Sequence, residues 1–322
     1  MRFEGVSLPM SEQTACAREP IDFSIIIVNW NTCDLLAKCL DSIFQTVQAS
    51  IYEIIVVDNG STDGSVDMVR TRFPSVRLVE NQQNVGFTQA NNQALAASCG
   101  RYVLLLNSDT EAQPGALDAM VCFMDAHPAA GVAGAHLLNP DGSFQASHTG
   151  FPTLWREFLI LSSLGRAFLR PSYPSYGPEV EKGPQRVDYT EGACLLVRRE
   201  AVEQVGGLDE SLFMYAEEVD WCYRMKQAGW EVWYLPEVRV VHHGGGSSRQ
   251  RKTRMEAELY RSRIRLFHKH YGAGQAVCLK ALIYAFTFIK VVWHRPLRWL
   301  TGNRYGRTIV GLRELHTMLR GV

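Results

Sequence analysis

Residues 23–31 read FSIIIVNWN, a largely β-branched apolar run that ends in asparagines on either side of a tryptophan. Such an uninterrupted run predicts a strand that is buried on both faces of a parallel sheet. The residues that follow place Leu36, Leu40 and Ile43 at helical spacing. A buried strand that leads into an amphipathic helix is the first half of a βαβ unit, so this stretch predicts an α/β fold.

The strand-then-helix pattern repeats along the first third of the chain. Further strands are predicted at residues 53–57, 76–79 and 102–106, with helices through residues 66–69 and 90–97. This alternation predicts an α/β fold, with a Rossmann-like, mostly parallel sheet flanked by helices.

Polar side chains directly follow three of the predicted strands. Asn29 and Asn31 come after the first strand, Asp58 after the second, and Asn107 and Asp109 after the fourth. Ligands of such sheets bind at the carboxyl ends of the strands. We therefore expect these side chains to converge on one crevice.

Asp58 and Asp109 each allow two interpretations. A carboxylate at Asp109 can hold Mg²⁺ or Mn²⁺ against phosphate oxygens, and one at Asp58 can bind a nucleobase or a ribose. Either residue can instead cap a turn or the next helix. Asn84, close to Gly86, adds an amide where the backbone can approach a ligand closely.

An acidic cluster opens a helix that is predicted at residues 217–228. The helix dipole favours carboxylates at this end, and Asp220 is also spaced to pair with Arg224. Glu217 and Glu218 lie beside aromatic residues, where burial would raise the pKa of a carboxylate that serves as a general base.

Two later segments carry weaker signals. His242 ends an apolar strand before a glycine-rich loop, where a histidine can bind a metal while the loop folds over a phosphate. A histidine without such a role is the alternative. Residues 170–185, rich in Pro, Tyr, Gly and Ser, are expected to form an exposed loop.

The formal net charge of zero hides an uneven distribution, because residues 249–322 hold 16 Lys and Arg against 3 Asp and Glu. A basic tail predicts contact with an anionic partner, either a nucleic acid or a membrane surface. Residues 1–20 contain charged side chains and no apolar run, so we expect a flexible N-terminus rather than a secretory signal. The eight cysteines form no CxxC pair, which indicates free thiols in a reducing cytoplasm.

Two helices are predicted in the tail, at residues 254–270 and 276–293. The second helix is apolar but contains lysines, which makes it a poor candidate for spanning a bilayer. Lys280, Thr287 and His294 are spaced by seven and share one stripe. This pattern is typical of a helix that lies in a membrane interface beside anionic headgroups. Packing on the chain's own domain or in a homodimer is the alternative.

Seven motifs occur in the order IIIVNWN, VVDNGSTD, NVGF, LLLNSD, GACLLVRR, GGLDESLFMYAEEVD and VVHHGGGSS. Over residues 22–270 the chain resembles family-two glycosyltransferases of the GT-A fold, in particular the rhamnosyltransferase-like branch that builds bacterial cell-surface polysaccharide. The resemblance implies an inverting, metal-dependent hexosyltransferase. Its catalytic domain would occupy residues 21–250, and residues 251–322 would form a basic helical extension.

The resemblance also implies which residues bind the donor nucleotide. Asp58 would contact the base, and Asn29, Asn31 and Asn84 would line the nucleotide pocket. Asn107 would lie near the ribose or a metal-bound water.

Asp109 and His242 would bind Mg²⁺ or Mn²⁺, while Glu218 would be the catalytic base and Glu217 its partner. Two positions depart from the family pattern. Asn107 stands where the family carries the first Asp of its D-x-D motif, which removes one charge from the metal site. Glu218 stands where the family carries Asp, and this lengthening by a methylene leaves Glu217 open as the base.

The expected substrates are a nucleotide-sugar donor and a saccharide acceptor. The resemblance favours dTDP-rhamnose, with a UDP-hexose or GDP-mannose as alternatives. The acceptor is expected on a polyprenyl diphosphate at the inner face of the cell membrane, so the tail would meet the membrane and not a nucleic acid. A dehydrogenase is disfavoured because NWNTCD replaces GxGxxG after the first strand. A non-catalytic nucleotide-sugar-binding protein is the remaining alternative.

Overall fold

A computed structural model describes residues 20–169, 172–178, 180–245 and 252–301. The predicted flexible N-terminus and the basic end of the tail lie outside these residues. The nine-stranded central sheet comprises β1 Phe23–Asn29, β2 Tyr52–Asp58, β3 Arg77–Glu80, β4 Tyr102–Leu106, β5 Thr110–Ala112, β6 Ala130–Leu138, β8 Gln185–Arg186, β10 Cys194–Arg198 and β11 Glu231–His242. A separate two-stranded sheet pairs β7 His148–Thr149 with β9 Tyr189–Thr190.

The helices are α1 Cys33–Thr46, α2 Ser65–Arg72, α3 Phe87–Ala97, α4 Ala116–Ala126, α5 Leu154–Leu161, α6 Arg199–Val205, α7 Glu217–Gln227, α8 Lys252–Tyr271 and α9 Ala273–Thr301. The strands and helices predicted from sequence in the first half of the chain are all present. The apolar strand predicted to end at His242 is β11.

The central sheet has the order β3-β2-β1-β4-β10-β6-β11-β5, with β8 paired to β11. Strands β1 to β4, β6 and β11 run in one direction, and β5, β8 and β10 run in the other. The predicted α/β fold with a mostly parallel sheet is confirmed. Because β1, β2 and β4 are neighbours, their carboxyl ends meet at one edge.

Helices cover both faces of the central sheet. Leu40 of α1 and Met120 of α4 pack on one face, while Ala90 of α3 and Trp221 of α7 pack on the other. Strand β1 is buried along nearly its whole length between these layers, as its apolar run predicted. The sheet is therefore a rigid platform for the residues at its edge.

A third apolar cluster joins α8 and α9 to α5. Thr287 is only 7% exposed and faces this cluster, whereas Val277 and Phe288 are 65% and 55% exposed. At Thr287 the predicted polar stripe of α9 therefore does not face water, because this turn of the helix packs against protein. Along the part of the chain that the structure describes, no helix is long and apolar enough to cross a membrane.

The loop prediction for residues 170–185 was only partly right. Where the structure describes it, this segment has little regular structure, but Ser175 is buried and Pro174 accepts a hydrogen bond from Thr149 Oγ1 at 2.5 Å. Tyr234 also donates its hydroxyl to the Pro178 carbonyl. Residues 172–178 pack on the domain because these contacts offset their backbone entropy, which composition alone does not reveal.

Candidate functional site

The ends of β1 and β2 are fixed by a buried pair of side chains. Asn29 donates from Nδ2 to Asp58 Oδ1 at 2.9 Å, and Ser61 N donates to Asp58 Oδ2 at 2.8 Å. Asn31, with a left-handed φ of 52°, accepts from Thr62 N. These side chains form hydrogen bonds with neighbouring loops, so they hold the edge of the sheet in place.

A cavity of about 210 Å³, here called the strand-end cavity, opens in front of these residues. It is lined by strand-end residues, aromatic residues of two loops and the start of the glycine loop: Val28, Trp30, Asn59, Asn84, Phe87, Asn107, Ser108, Asp109, Phe213, Met214, Tyr215, His242 and Gly245. Asn84, Asn107, Asp109 and His242 therefore share one cavity. At the ends of β1 and β2, the lining residues are Trp30 and Asn59 rather than Asn29, Asn31 and Asp58.

Asp109 and His242 face each other within this cavity, with Asp109 Oδ1 3.2 Å from His242 Nε2. Strand β11 pairs with β5, which places His242 opposite Thr110 and so next to Asp109. Asn107 Nδ2 lies 3.5 Å from the same ring nitrogen. Two residues that are distant in sequence thus meet because β11 pairs with β5, the strand that begins directly after Asp109.

Gln145 orients the imidazole of His242. Its Nε2 donates to the carbonyl oxygen of His242 and to Asn139 Oδ1, so its Oε1 accepts from His242 Nδ1 at 2.6 Å. In the neutral imidazole, Nε2 then carries the lone pair that faces Asp109. A ligating histidine in proteins is typically held by a hydrogen bond of this kind on its other nitrogen.

The pair fits a divalent cation. A carboxylate oxygen and the Nε2 lone pair of a neutral imidazole are two metal-binding donors, and about 3 Å separates adjacent ligands of an octahedral ion bound at about 2.1 Å. Among the described residues, no group of three or more His, Cys, Asp or Glu side chains is arranged to hold a metal ion. A cation held here would need further ligands from a substrate phosphate or water.

The turn that leads into α7 is strained. Tyr215 and Ala216 both have a left-handed φ, of 69° and 66°, at a cost of about 1–2 kcal/mol each for a residue with a side chain. Ser262 of α8 donates to the Met214 carbonyl at 2.8 Å, which holds the turn in place. This conformation brings Tyr215 and the first residues of α7 to the cavity wall, as strained residues at functional sites often do.

A second cavity of about 200 Å³, the carboxylate cavity, continues from the strand-end cavity past Asn107 and His242. Glu191, Glu217 and Glu218 line it together. One carboxylate oxygen of Glu217 and one of Glu218 are buried without a hydrogen-bond partner within the described ranges. A buried oxygen without a partner is rare, and it is accounted for by a ligand or a proton that it receives.

The pKa values of these three carboxyl groups are raised. Burial, followed by the charge of Glu218, raises the pKa of Glu191 to about 8. Burial also raises the pKa of Glu218, and burial with the charge of Glu218 raises that of Glu217 well above its usual value. A carboxylate in such a position is able to accept a proton near neutral pH.

Asp220, one turn into α7, has a structural role. Arg224 Nε contacts its Oδ2 at 2.8 Å, which confirms the predicted pair at helical spacing. Lys269 and His270 of α8 contact its Oδ1, each at 2.7 Å. This carboxylate therefore joins α7 to α8.

Sequence reasoning missed Glu191 and Gln145. Glu191 lies in the three-residue connection between β9 and β10, and Gln145 follows the turn at residues 139–142. Neither residue belongs to a periodic pattern. Only the fold brings Glu191 to Glu218 and Gln145 to His242, across 97 residues of chain in the second case.

Comparison with known proteins gives one family match, to Glycosyl transferase family 2, over residues 24–206. A protein of Mycobacterium tuberculosis named N-acetylglucosaminyl-diphospho-decaprenol L-rhamnosyltransferase is 31% identical over 294 residues, which is 85% of this chain and 87% of that protein. The low-salt glycan biosynthesis hexosyltransferase Agl10 of Haloferax volcanii is 23% identical, over 88% of this chain and 89% of that protein.

Solved structures share the fold at low sequence identity. A mannosyltransferase of Pyrobaculum calidifontis, in complex with GDP-Man and Mn²⁺, aligns with a TM-score of 0.52 and 17% identity, over 94% of this chain and 86% of that one. Residues 1–349 of S. aureus TarS align with a TM-score of 0.52 and 16% identity, over 90% of this chain and 76% of that one. Both likenesses concern the fold of the sheet and its helices.

Proposed function

The chain belongs to glycosyl transferase family 2, and from this premise we propose that it transfers a sugar from a nucleoside diphosphate to a saccharide acceptor, with inversion at the anomeric carbon. One observation carries the proposal. The Asp109–His242 pair and the buried carboxylates of α7 lie in cavities that share Asn107, His242 and Tyr215. A donor diphosphate and a base for the acceptor can therefore act on the same reacting carbon.

The strand-end cavity is the proposed donor site. Asp109 and His242 would hold Mg²⁺ or Mn²⁺, which supplies positive charge to the departing nucleoside diphosphate. Asn84 and Asn107 line this cavity and are able to bind the nucleotide. The predicted contacts of Asn29, Asn31 and Asp58 stay predictions, and these residues support the loop that carries Trp30 and Asn59.

Glu218 is the proposed general base, with Glu217 as its partner. An acceptor hydroxyl gives its proton to the Glu218 carboxylate while its oxygen forms a bond to the anomeric carbon. The bond from that carbon to the diphosphate breaks, and the electron pair leaves with the nucleoside diphosphate. A single displacement inverts the anomeric configuration, and base catalysis of this kind contributes roughly 10²–10⁴ in rate.

The proposed donor is dTDP-rhamnose, and the proposed acceptor is a saccharide on a polyprenyl diphosphate. Support comes from the M. tuberculosis relative, whose name specifies L-rhamnose transfer to N-acetylglucosaminyl-diphospho-decaprenol. A UDP-hexose and GDP-mannose are the alternative donors. The reaction would serve the synthesis of a cell-surface polysaccharide.

We also place the protein at the inner face of the cell membrane through its helical extension. The outward face of α9 carries apolar side chains at helical spacing, among them Val277, Phe288, Ile289 and Val292. An apolar helix face next to a basic segment is typical of interfacial helices. Replacing Phe288 and Ile289 by Ser should lower flotation with anionic phospholipid vesicles, whereas Ile51→Ser, at an exposed residue before β2, should not.

The direct test of function is a donor screen. Purified protein is incubated with Mn²⁺ and dTDP-, UDP- or GDP-sugars, and donor hydrolysis and thermal protection are measured, because a bound ligand stabilises the folded state. We expect one nucleotide class to protect and to be turned over. Asp109→Ala should abolish metal-dependent turnover without loss of the fold, while Asp34→Ala, on the exposed side of α1, should retain it. Protection without any turnover would favour a non-catalytic binding protein.

A further inference from the structure

A third cavity, here called the arginine cavity, lies on the far side of Glu218 from the Asp109–His242 pair. It has a volume of about 230 Å³ and is enclosed by α5, the turn before α7, and α8. Glu191, Tyr215 and Glu218 line both this cavity and the carboxylate cavity. Glu218 therefore stands in the wall between a space that leads to the proposed donor site and a space that contains Arg156 and Arg263.

The guanidinium of Arg156 is held in the wall of the arginine cavity by neutral groups. Its Nη1 donates to the Phe151 carbonyl at 3.2 Å and its Nη2 to the Tyr176 hydroxyl at 2.7 Å. It packs directly over Gly150, where any side chain would collide with both Nη atoms. The nearby carboxylate of Asp188 is paired with Lys226 instead, at 2.7 Å.

Arg263 of α8 reaches the same cavity but has a carboxylate partner. Its Nη1 lies 2.8 Å from Glu157 Oε2, and Glu157 is buried on α5. This ion pair ties α8 to α5 across the cavity. Within the described ranges, no carboxylate lies within 4.0 Å of Arg156. The positive charge of Arg156 is therefore available to bind an anionic ligand.

We propose that the arginine cavity binds a phosphate group of the acceptor, with Arg156 as the principal ligand, so that the acceptor sugar reaches Glu218. This inference rests on the proposed function and specifies the acceptor as a sugar joined to its carrier through phosphate. A guanidinium suits this task because its planar N–H groups match two phosphate oxygens and it stays charged at all working pH values.

The surroundings of the arginine cavity fit a carrier that is a lipid. On α5, the residue before Arg156 is Trp155, which is 65% exposed. Phe158 of α5 packs edge-on against Phe286 of α9, at a ring-centroid distance of 5.6 Å. The phosphate site therefore lies on the helix that joins the apolar surface of α9, the surface that we propose to meet the membrane.

The test compares three acceptors that carry the same sugar. The first is the sugar joined through a diphosphate to a short isoprenoid alcohol, the second is the sugar 1-phosphate, and the third is a simple alkyl glycoside without phosphate. The variants are Arg156→Gln and Arg156→Lys, with Arg166→Gln as the control, because Arg166 is exposed and lies beyond α5. KM and kcat are measured for each acceptor, together with donor hydrolysis in the absence of acceptor.

We expect Arg156→Gln to raise KM for both phosphate-bearing acceptors by roughly 10- to 100-fold, the range for losing a hydrogen bond between charged groups. KM for the alkyl glycoside and donor hydrolysis should stay unchanged, which also shows that the variant is folded. Arg156→Lys should recover part of the loss, and Arg166→Gln should behave as the unaltered protein.

An equal effect on all three acceptors, or no effect, would overturn the assignment of the arginine cavity while leaving the proposed function intact. If the unaltered protein transfers sugar to none of the acceptors from any donor, the proposed function itself fails. A loss confined to the isoprenoid acceptor would contradict phosphate recognition, since it would place Arg156 at the lipid.

Discussion

The first turn of α7 carries carboxylates in two different surroundings. Asp220 is fully buried and contacts Arg224, Lys269 and His270. Glu217 is also buried and Glu218 is half-buried, and each keeps a buried carboxylate oxygen without a hydrogen-bond partner among the described residues. Carboxylates within four residues of one another thus have opposite electrostatics.

The partners, and not the burial, explain this difference. Burial alone would raise the pKa of Asp220, but its bonds from His270 and Lys269 hold that pKa well below the usual range. Among the described residues, no cationic side chain forms an ion pair with Glu217 or Glu218, so burial raises both pKa values, and the charge of Arg263 offsets only part of the rise for Glu218. We infer that Asp220 holds α7 against α8, while the glutamates stay available to take up a proton.

The largest effect should come from Glu218→Gln. Glutamine keeps the size of the side chain but cannot accept the acceptor proton, so kcat should fall by roughly 10²–10⁴. Donor binding should persist, because Asp109 and His242 are untouched. A transfer assay measures the first quantity, and thermal protection by the donor measures the second.

Glu217→Gln is the matched comparison on the same helix turn. We expect it to retain much more activity than Glu218→Gln, since Glu217 does not line the arginine cavity. If Glu217→Gln is the inactive variant and Glu218→Gln remains active, the base has been assigned to the wrong residue.

Asp220→Asn should act on stability instead. The substitution weakens the contacts to Lys269 and His270, and we expect a loss of about 1–3 kcal/mol in the free energy of unfolding, the range for a broken charged hydrogen bond. Urea denaturation measures this loss. Transfer activity per folded molecule should stay close to normal, and a collapse of kcat at unchanged stability would mean that Asp220 takes part in the chemistry.

The two surroundings should also respond to pH in opposite directions. The folded pKa of Asp220 is lowered, so its stabilisation is present above the unfolded pKa of about 3.9 and is lost as the pH falls below it. The pKa of Glu191 is raised to about 8. Its contribution to the free energy of unfolding is therefore present below about pH 4.3 and is lost as the pH rises to 8.

Unfolding free energies measured from pH 3 to pH 9 test this contrast. Asp220→Asn should flatten the acid side of the profile, and Glu191→Gln should flatten the decline between about pH 4 and pH 8. Identical pH profiles for both variants would contradict the electrostatic difference that we infer between Asp220 and Glu191.

The smallest effect is expected for Asp209→Asn. Asp209 also contacts Lys269, but Lys269 and Asp209 are 39% and 23% exposed, so solvent screens the pair. Exposed ion pairs contribute about 0–1 kcal/mol, and urea denaturation should show a loss within that range. A larger loss would show that Lys269 needs Asp209 in order to reach Asp220.

Much of this arrangement could be predicted from the sequence because it depends on local patterns. The apolar run before Asn29 predicted a buried strand, and strand order then placed Asn107 and Asp109 at a shared edge. The start of α7 at Glu217 and the contact of Asp220 with Arg224 followed from helix chemistry. These features depend on residues that are close in sequence.

The remaining features depend on contacts between distant segments. Burial, followed by the charge of Glu218, raises the pKa of Glu191, and Gln145 orients His242. Neither pairing corresponds to a periodic pattern in the sequence. Thr287 was expected on a polar stripe, yet it faces protein because α8 and α5 occupy that side of α9. The role of Arg156 likewise requires the fold, which brings Tyr176 and Gly150 around its guanidinium.

We propose that Glu218 acts as the base in one displacement at the anomeric carbon of a nucleotide sugar held at Asp109 and His242. Proton NMR of the product, formed from the donor that the screen identifies, tests it most directly. We expect an anomeric configuration opposite to that of the donor. A retained configuration would contradict it, because retention needs a second displacement that a single base at Glu218 does not provide.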